Sequence, residues 1–261
     1  MKSCCKSCGS FFFIISSSPK HQTPVFYFKQ FSIEDKDATM KVCTDAVLLG
    51  TLTTTDLEPR RILDIGTGCG ILALMMAQRF ENAIIDAIDI DSQTVAVANK
   101  NFDNSPWKAR LKATNSTLQD YSSPILYDLI VCNPPYFNRS LKNNEQRKSL
   151  ARHDDSLPAE SLLFHASKLL ADGGQLSLIT REECVPIFLS NARANDITLK
   201  SITHIHTQHG AEPKLCVLQF YKGIHGIEPQ NKEMSIRNPD GSYSTEYVTL
   251  TTPFLLWRQQ D

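Results

Sequence analysis

Asp64-Ile65-Gly66-Thr67-Gly68-Cys69-Gly70 is preceded by the apolar run Arg61 to Ile65 and followed by Ile71 to Phe80, a run of good helix formers. The string therefore sits where a strand must turn directly into a helix. Without side chains, Gly66 and Gly68 let the backbone turn sharply and lie against a ligand, and the helix starting near Ile71 aims its free N–H groups at whatever occupies the crevice. A nucleotide-like ligand is expected there. A dinucleotide fingerprint would read G-x-G-x-x-G, whereas here Gly70 comes one position early and Asp64 opens the run.

Outward from this string, β-like apolar runs alternate with helix-length segments, the pattern of βαβ units and a parallel sheet. Ile84 to Asp89 reads as a second strand and Ser92 to Asn101 as a helix with Ser92 as N-cap. A short strand near Leu111, a buried one from Leu129 to Cys132, a helix from about Ala159 to Leu170 and a strand from Gln175 to Thr180 continue the series, with Asp172-Gly173-Gly174 as the turn before the last. A helix over Glu183 to Ala194 and strands over Leu199 to His206 and Leu215 to Tyr221 complete it. The expectation is an α/β fold: a seven-stranded, mostly parallel sheet with helices on both faces and the last strand antiparallel, its final pair a hairpin. No internal repeat is visible.

The chain has 261 residues, enough for one α/β domain. We expect a leader over residues 1–20, an N-terminal lid or substrate segment over 21–60 and a core over 61–261. The core carries a functional loop at 133–157, where apolar periodicity gives way to charge, and an irregular insertion at 223–243. Lysine plus arginine (27) nearly cancels aspartate plus glutamate (28), which disfavours a general nucleic-acid coating role. Cys43, Cys69, Cys132, Cys184 and Cys216 stand singly and suit a reducing cytoplasm. Phe11 to Ile15 is too short for an exported signal or a membrane span, and Cys4, Cys5 and Cys8 lack the second ligand pair of a zinc finger. His204 and His206 share a strand face without a carboxylate nearby in sequence, so no metal is expected.

Asp89 ends the second strand about twenty residues past the glycines, where a carboxylate can accept both hydroxyls of a ribose. Asp91 is its rival, better placed to cap the next helix. After the third strand stand Asn115-Ser116, and Ser116 is the candidate contact to a cofactor ring. The D-x-G-x-G-x-G string resembles motif one of class I methyltransferases. That resemblance implies a Rossmann-like fold and S-adenosyl-L-methionine as cofactor, with Asp64, Gly66, Gly68, Gly70, Asp89 and Ser116 around it.

Asn133-Pro134-Pro135-Tyr136 follows the apolar run Leu129 to Cys132. In a doubly wound sheet, ligands sit outside the carboxyl ends of the strands, so this tetrapeptide and the glycine loop share a crevice. An amino group conjugated to an aromatic ring is a poor nucleophile. The Asn133 side-chain oxygen and the Pro134 carbonyl can each accept one of its N–H groups and aim the lone pair, and Tyr136 can stack on the base. No strong general base is needed, because the amine becomes acidic only after the methyl has transferred. A turn that merely ends a strand is the plainer alternative. Together with the glycine motif, the tetrapeptide resembles that of N-methyltransferases of planar amines or amides, which modify a DNA or RNA base or a protein glutamine.

Arg139, Lys142, Arg147, Lys148 and Arg152 follow the tetrapeptide with Glu145 opposing them. They can dock a phosphate backbone or form a solvated loop. From Val25 to Trp257 the chain resembles the bacterial valine-tRNA adenine N6-methyltransferases. The likeness is carried by Phe26-Tyr27-Phe28-Lys29-Gln30-Phe31, Met40 to Ala46, Asp64 to Gly70, Asp89 to Asp91, Ser105 to Trp107, Asn133 to Tyr136, Arg147 to Arg152, Ile236 to Asp240, Tyr243 and Tyr247. It implies methylation of adenosine 37 beside the anticodon, tRNA as partner without an obligate protein partner, and Lys29, Thr44 and Asp45 as a lid near the cofactor. Phe26, Phe28 and Phe31 equally suit core packing. A protein-glutamine methyltransferase and an RNA-binding module on the same fold are the other readings.

Overall fold

The computed structural model describes residues 25–134 and 157–257. A small antiparallel hairpin, β1 (Val25–Tyr27) and β2 (Ser32–Glu34), leads into α1 (Thr44–Leu52). Then follow β3 (Arg61–Ile65), α2 (Ile71–Arg79), β4 (Ile84–Asp89), α3 (Ser92–Asp103), β5 (Leu111–Asn115) and β6 (Tyr127–Cys132). The second half is α4 (Ala159–Leu169), β7 (Leu170–Arg181), α5 (Val185–Ala194), β8 (Ile197–His206), β9 (Pro213–Lys222), β10 (Gln230–Ser235) and α6 (Thr245–Thr251).

The main sheet has the order β10-β8-β9-β7-β6-β3-β4-β5. Every neighbouring pair is parallel except β9, which lies antiparallel between β7 and β8. Alternation along each strand builds two cores, one per face. Ile62, Leu129 and Val131 pack toward α1, α2 and α3, while Leu63 and Ile130 pack toward α4 and α5. All five are fully buried, each contributing roughly 2 kcal/mol of apolar transfer.

The expected α/β architecture holds, with four departures. The sheet has eight strands, because Gln230–Ser235 inside the expected irregular insertion extends β8 in parallel. That segment carries no apolar alternation; only Met234 is buried, and edge ladder bonds hold the rest. Asp172-Gly173-Gly174 lies within β7 as a bulge, with Gly173 at φ 75° and the register to β6 shifting between Tyr127 and Leu129. The N-cap of α3 is Asp91, whose carboxylate accepts from the Gln93 N–H; Ser92 is already helical. Part of the expected N-terminal segment packs into the core: Phe28, Phe31, Ile33, Val47, Leu48 and Leu49 are buried with α2. Phe28 and Phe31 stack at 4.4 Å, the core packing their spacing allows.

Candidate functional site

The carboxyl ends of β6, β3 and β4 are level: Ile65 pairs with Cys132 on one side and Ile88 on the other. The glycine loop leaves β3 at this line, and Gly66 N–H and Thr67 N–H both donate to the Ile88 carbonyl, at 2.9 and 3.0 Å. Gly68 has φ 56°, and a Cβ there would lie 3.0 Å from Met40 Cβ; Gly70 has φ 87°, and a Cβ there would press to 2.5 Å against the Phe102 ring. Left-handed backbone and close approach together require glycine at both places.

Asp64 is fully buried beneath the loop. Its Oδ2 accepts from Thr67 Oγ1 at 2.7 Å and from the Ala73 N–H at 3.2 Å, which ties the loop to the first turn of α2. Its Oδ1 has no hydrogen-bond partner. Burial pushes its carboxyl up to about 7, against the two hydrogen bonds that pull it down.

Of the two tasks weighed for Asp89 and Asp91, the capping one falls to Asp91. Asp91 accepts from Gln93 N–H, Thr94 Oγ1 and Thr39 Oγ1, so capping and the Thr39 contact engage both its oxygens and hold its carboxyl below the usual range. Asp89 Oδ2 accepts from Gly68 N–H and Oδ1 from Asp91 N–H, both at 3.0 Å, so each oxygen keeps a lone pair for a ligand. Asn115 braces this turn by donating to the Asp89 and Ile90 carbonyls.

A cavity of about 550 Å³ opens here, within the range of small-molecule and cofactor sites. Gly66, Asp89, Ser116, Asn133 and Pro134 line it, as do Thr39, Met40, Ile90, Leu118, Gln119 and Leu157. Asn133 is 7% exposed, and its Oδ1 is buried without a partner while its Nδ2 lies 3.8 Å from Cys43 Sγ. The structure thus brings the glycine loop, Asp89, Ser116 and the start of the tetrapeptide to one cavity.

Lys29, Thr44 and Asp45 are not among its lining residues. Lys29 is exposed, with its N–H on the Phe254 carbonyl, and Thr44 and Asp45 open α1. Thr39 and Met40 line that side instead. They are carried there because Asn101 grips both Glu34 and the Cys69 carbonyl while Thr94 and Asp91 hold Thr39. Thr39 has no sequence signal and Met40 only its place in the Met40 to Ala46 stretch, since the path of this segment depends on α3. Pro135, Tyr136, Arg139, Lys142, Arg147, Lys148 and Arg152 lie outside the described residues.

The late histidines do meet carboxylates, brought by the fold from other elements: His204 Nδ1 lies 2.9 Å from Glu182 and His206 Nε2 2.5 Å from Glu233. These are close contacts between a histidine and one carboxylate each. Among the described residues no group of three or more His, Cys, Asp or Glu side chains could hold a metal ion, and no helix is long and apolar enough to cross a membrane.

Residues 42–185 match the family described as methyltransferase small domain. A tRNA1(Val) (adenine(37)-N6)-methyltransferase of Pedobacter heparinus is 38% identical over 232 residues, covering 88% of this chain and 97% of that protein. Proteins of the same name from Aliivibrio fischeri and Phocaeicola vulgatus are each 40% identical over 88% and 89% of this chain and 97% and 98% of their own lengths. Among solved structures, a predicted O-methyltransferase from Agrobacterium tumefaciens superposes with a TM-score of 0.60 at 20% identity, over 83% of this chain and all of that one. A methyltransferase from Pyrococcus furiosus gives 0.53 at 22% identity, over 74% and 90%. These two likenesses show a shared class I methyltransferase fold. With matches over nearly nine-tenths of its length, the chain belongs to the family of tRNA1(Val) (adenine(37)-N6)-methyltransferases.

Proposed function

We propose that the chain transfers a methyl group from S-adenosyl-L-methionine to the exocyclic N6 amino group of an adenine in tRNA, adenosine 37 beside the anticodon of tRNA(Val). The observation that carries this reading is the Asn133 amide oxygen, buried and without a partner at the wall of a cavity that Asp89 also lines. A buried acceptor left unsatisfied costs about 1–3 kcal/mol, so its position is best explained by a donor that arrives with substrate.

The residues present fit the cofactor. Asp89 supplies the acceptor for ribose hydroxyls, the glycine turns allow close backbone approach, and Ile90, Leu118 and Ser116 offer an apolar slot with a hydroxyl for the adenine ring. When bound, S-adenosyl-L-methionine supplies an electrophilic methyl on a sulfonium. Asn133 Oδ1 and the Pro134 carbonyl each accept one N6–H, which turns the nitrogen lone pair toward the methyl donor and favours the transition state over the planar ground state. Tyr136 stacks on the base once it has swung out of the anticodon loop, and Arg139, Lys142, Arg147, Lys148 and Arg152 hold the phosphate backbone. Lys29, Thr44 and Asp45, behind the strap that carries Thr39 and Met40, act on the cofactor only through that strap.

Single-turnover methylation tests this reading, with labelled cofactor and an anticodon stem-loop of tRNA(Val) carrying adenosine or inosine at position 37. The expected result is one methyl on adenosine and none on inosine, which lacks the amino group. Equal labelling of both overturns the N6 assignment, and labelling of a protein fraction in place of RNA overturns the substrate class.

A further inference from the structure

We propose that Cys43 is a positioning residue for Asn133: its sulfur takes the amide N–H and so turns the amide oxygen into the cavity. The inference rests on the reading of Asn133 as the acceptor for the substrate amino group.

The terminal torsion of an asparagine is broad and roughly two-fold, so exchanging oxygen and nitrogen costs little by itself. At Asn133 the exchange decides whether the site works. A substrate amino group offers only N–H donors to its partner. An amide turned the other way would set N–H against N–H, with both left unsatisfied in a buried place. Something must break the symmetry, and Asn133 Nδ2 sits 3.8 Å from Cys43 Sγ, a contact length that suits the large radius of sulfur as a weak acceptor. The opposite orientation would leave the amide oxygen only the weak S–H donor of Cys43 and turn the amide N–H groups toward the substrate's own. The other atom of the same amide, Oδ1, is buried with no partner, and Asn133 lines the cavity.

The sulfur is held firmly enough for this task. Cys43 is the extended residue (φ −138°, ψ 160°) immediately before α1, and α1 is anchored by the fully buried Val47, Leu48 and Leu49. The strap before it is fixed as well: Val42 N–H donates to Asp35 Oδ2 at 3.0 Å, and Thr39 is clasped by Asp91 and Thr94. Cys43 thereby links the N-terminal segment to the methyl-transfer site through one side chain, a role distinct from lining the cavity.

The experiment compares Cys43→Ala and Cys43→Ser with the parent chain, each also in the Asn133→Ala background. It measures single-turnover methylation of the tRNA(Val) stem-loop, KM for that RNA, and cofactor affinity. Cys43→Ala is expected to lower turnover about fivefold, the size of one modest hydrogen bond, with KM and cofactor affinity within about twofold. Cys43→Ser, which restores an acceptor, is expected to recover most of the rate. In the Asn133→Ala background neither substitution should matter, because the two residues act as a unit. A full fivefold loss in that background, or an unchanged rate in Cys43→Ala, overturns the proposal. A second readout needs no methylation: the Asn133 side-chain amide resonance, identified by its disappearance in Asn133→Ala, should shift in Cys43→Ala and return toward its parent position in Cys43→Ser. If the parent chain fails to methylate the stem-loop, the functional reading falls while that resonance still decides the contact. An amide resonance insensitive to both substitutions overturns it.

Discussion

Asp56 precedes β3 and Asp64 lies within it, near its carboxyl end, and the two face opposite fates. Asp56, ahead of the amino end, has one oxygen 2.8 Å from Lys200 Nζ and the other shared by the Tyr221 hydroxyl and Gln175 Nε2. The Lys200 and Tyr221 hydrogen bonds hold its carboxyl below the usual range. Asp64, near the carboxyl end, is buried completely, and its Oδ1 finds no partner. Its carboxyl rises to about 7 because no cation offsets desolvation. One aspartate is satisfied within the fold and fastens the entry to β3 against β7, β8 and β9. The other is held at a cost, beneath a loop whose backbone must stay in a left-handed path, and the same end of the sheet carries the second orphaned acceptor, Asn133 Oδ1. Buried polar atoms without partners occur elsewhere too, Gln175 Oε1 beside Asp56 among them, so what sets Asn133 Oδ1 apart is that its residue also lines the cavity.

The comparison breaks most visibly at Asn133. Asn133→Ala should lower single-turnover methylation by about a thousandfold, comparable to removing a donor aimed at a developing transition state, with cofactor affinity near normal. A rate within tenfold of the parent would mean that the orphaned oxygen is not a catalytic acceptor.

Asp64 predicts a pH signature. Its folded value lies above its unfolded one, so its contribution to stability is complete below about 4, declines as pH rises, and is gone above about 7. Asp64→Asn keeps the carbonyl that Thr67 and Ala73 need and has no charge to bury. Urea unfolding at pH 8 should show the variant more stable by on the order of 3 kcal/mol relative to the difference between the two chains at pH 4. Parallel stability curves for the two chains across that window would place the Asp64 charge in a better-solvated setting than its burial indicates. Asp89→Ala, one strand over, should weaken cofactor binding by about 1–3 kcal/mol in calorimetry without this pH signature. Unchanged affinity there would remove Asp89 from the ribose role.

Legibility in the sequence followed the range of the interactions. β3 and β6 were readable because their apolar runs are buried on both faces, β4 because Ile85, Ala87 and Ile88 are buried, and the strand-to-helix turn because Gly68 and Gly70 are required by local backbone. Asp89 could be separated from Asp91 only once Thr39, 52 residues before Asp91, was seen to engage Asp91. β10 escaped because an edge strand of Gln, Asn, Lys and Glu has no periodic signature, and the bulge in β7 because its glycines read equally as a turn. The wall formed by Thr39 and Met40 depends on Asn101 and Thr94 reaching across from α3, and the Cys43 contact spans 90 positions to Asn133. Spacing along a chain carries no information about such pairs.

Asp56 supplies the smallest effect and the control for the others. Its folded value is depressed, so its contribution is present above about 4 and is lost as pH falls through the folded value, opposite in sign to that of Asp64. The side chain is 58% exposed, so solvent screens the pair with Lys200, and exposed ion pairs contribute about 0.2–1 kcal/mol. Asp56→Asn should therefore cost no more than about 1 kcal/mol at pH 7, with the difference shrinking as pH falls below about 4 and in high salt, while methylation and cofactor affinity stay unchanged. Lys200→Met should mimic it in stability, because it removes the other partner. If either substitution lowered turnover, the amino-end cluster would be coupled to the crevice through β3, and the division between a fastening end and a reactive end of the sheet would fail. If neither did, every functional loss seen at Asp89 and Asn133 could be assigned to the carboxyl ends alone.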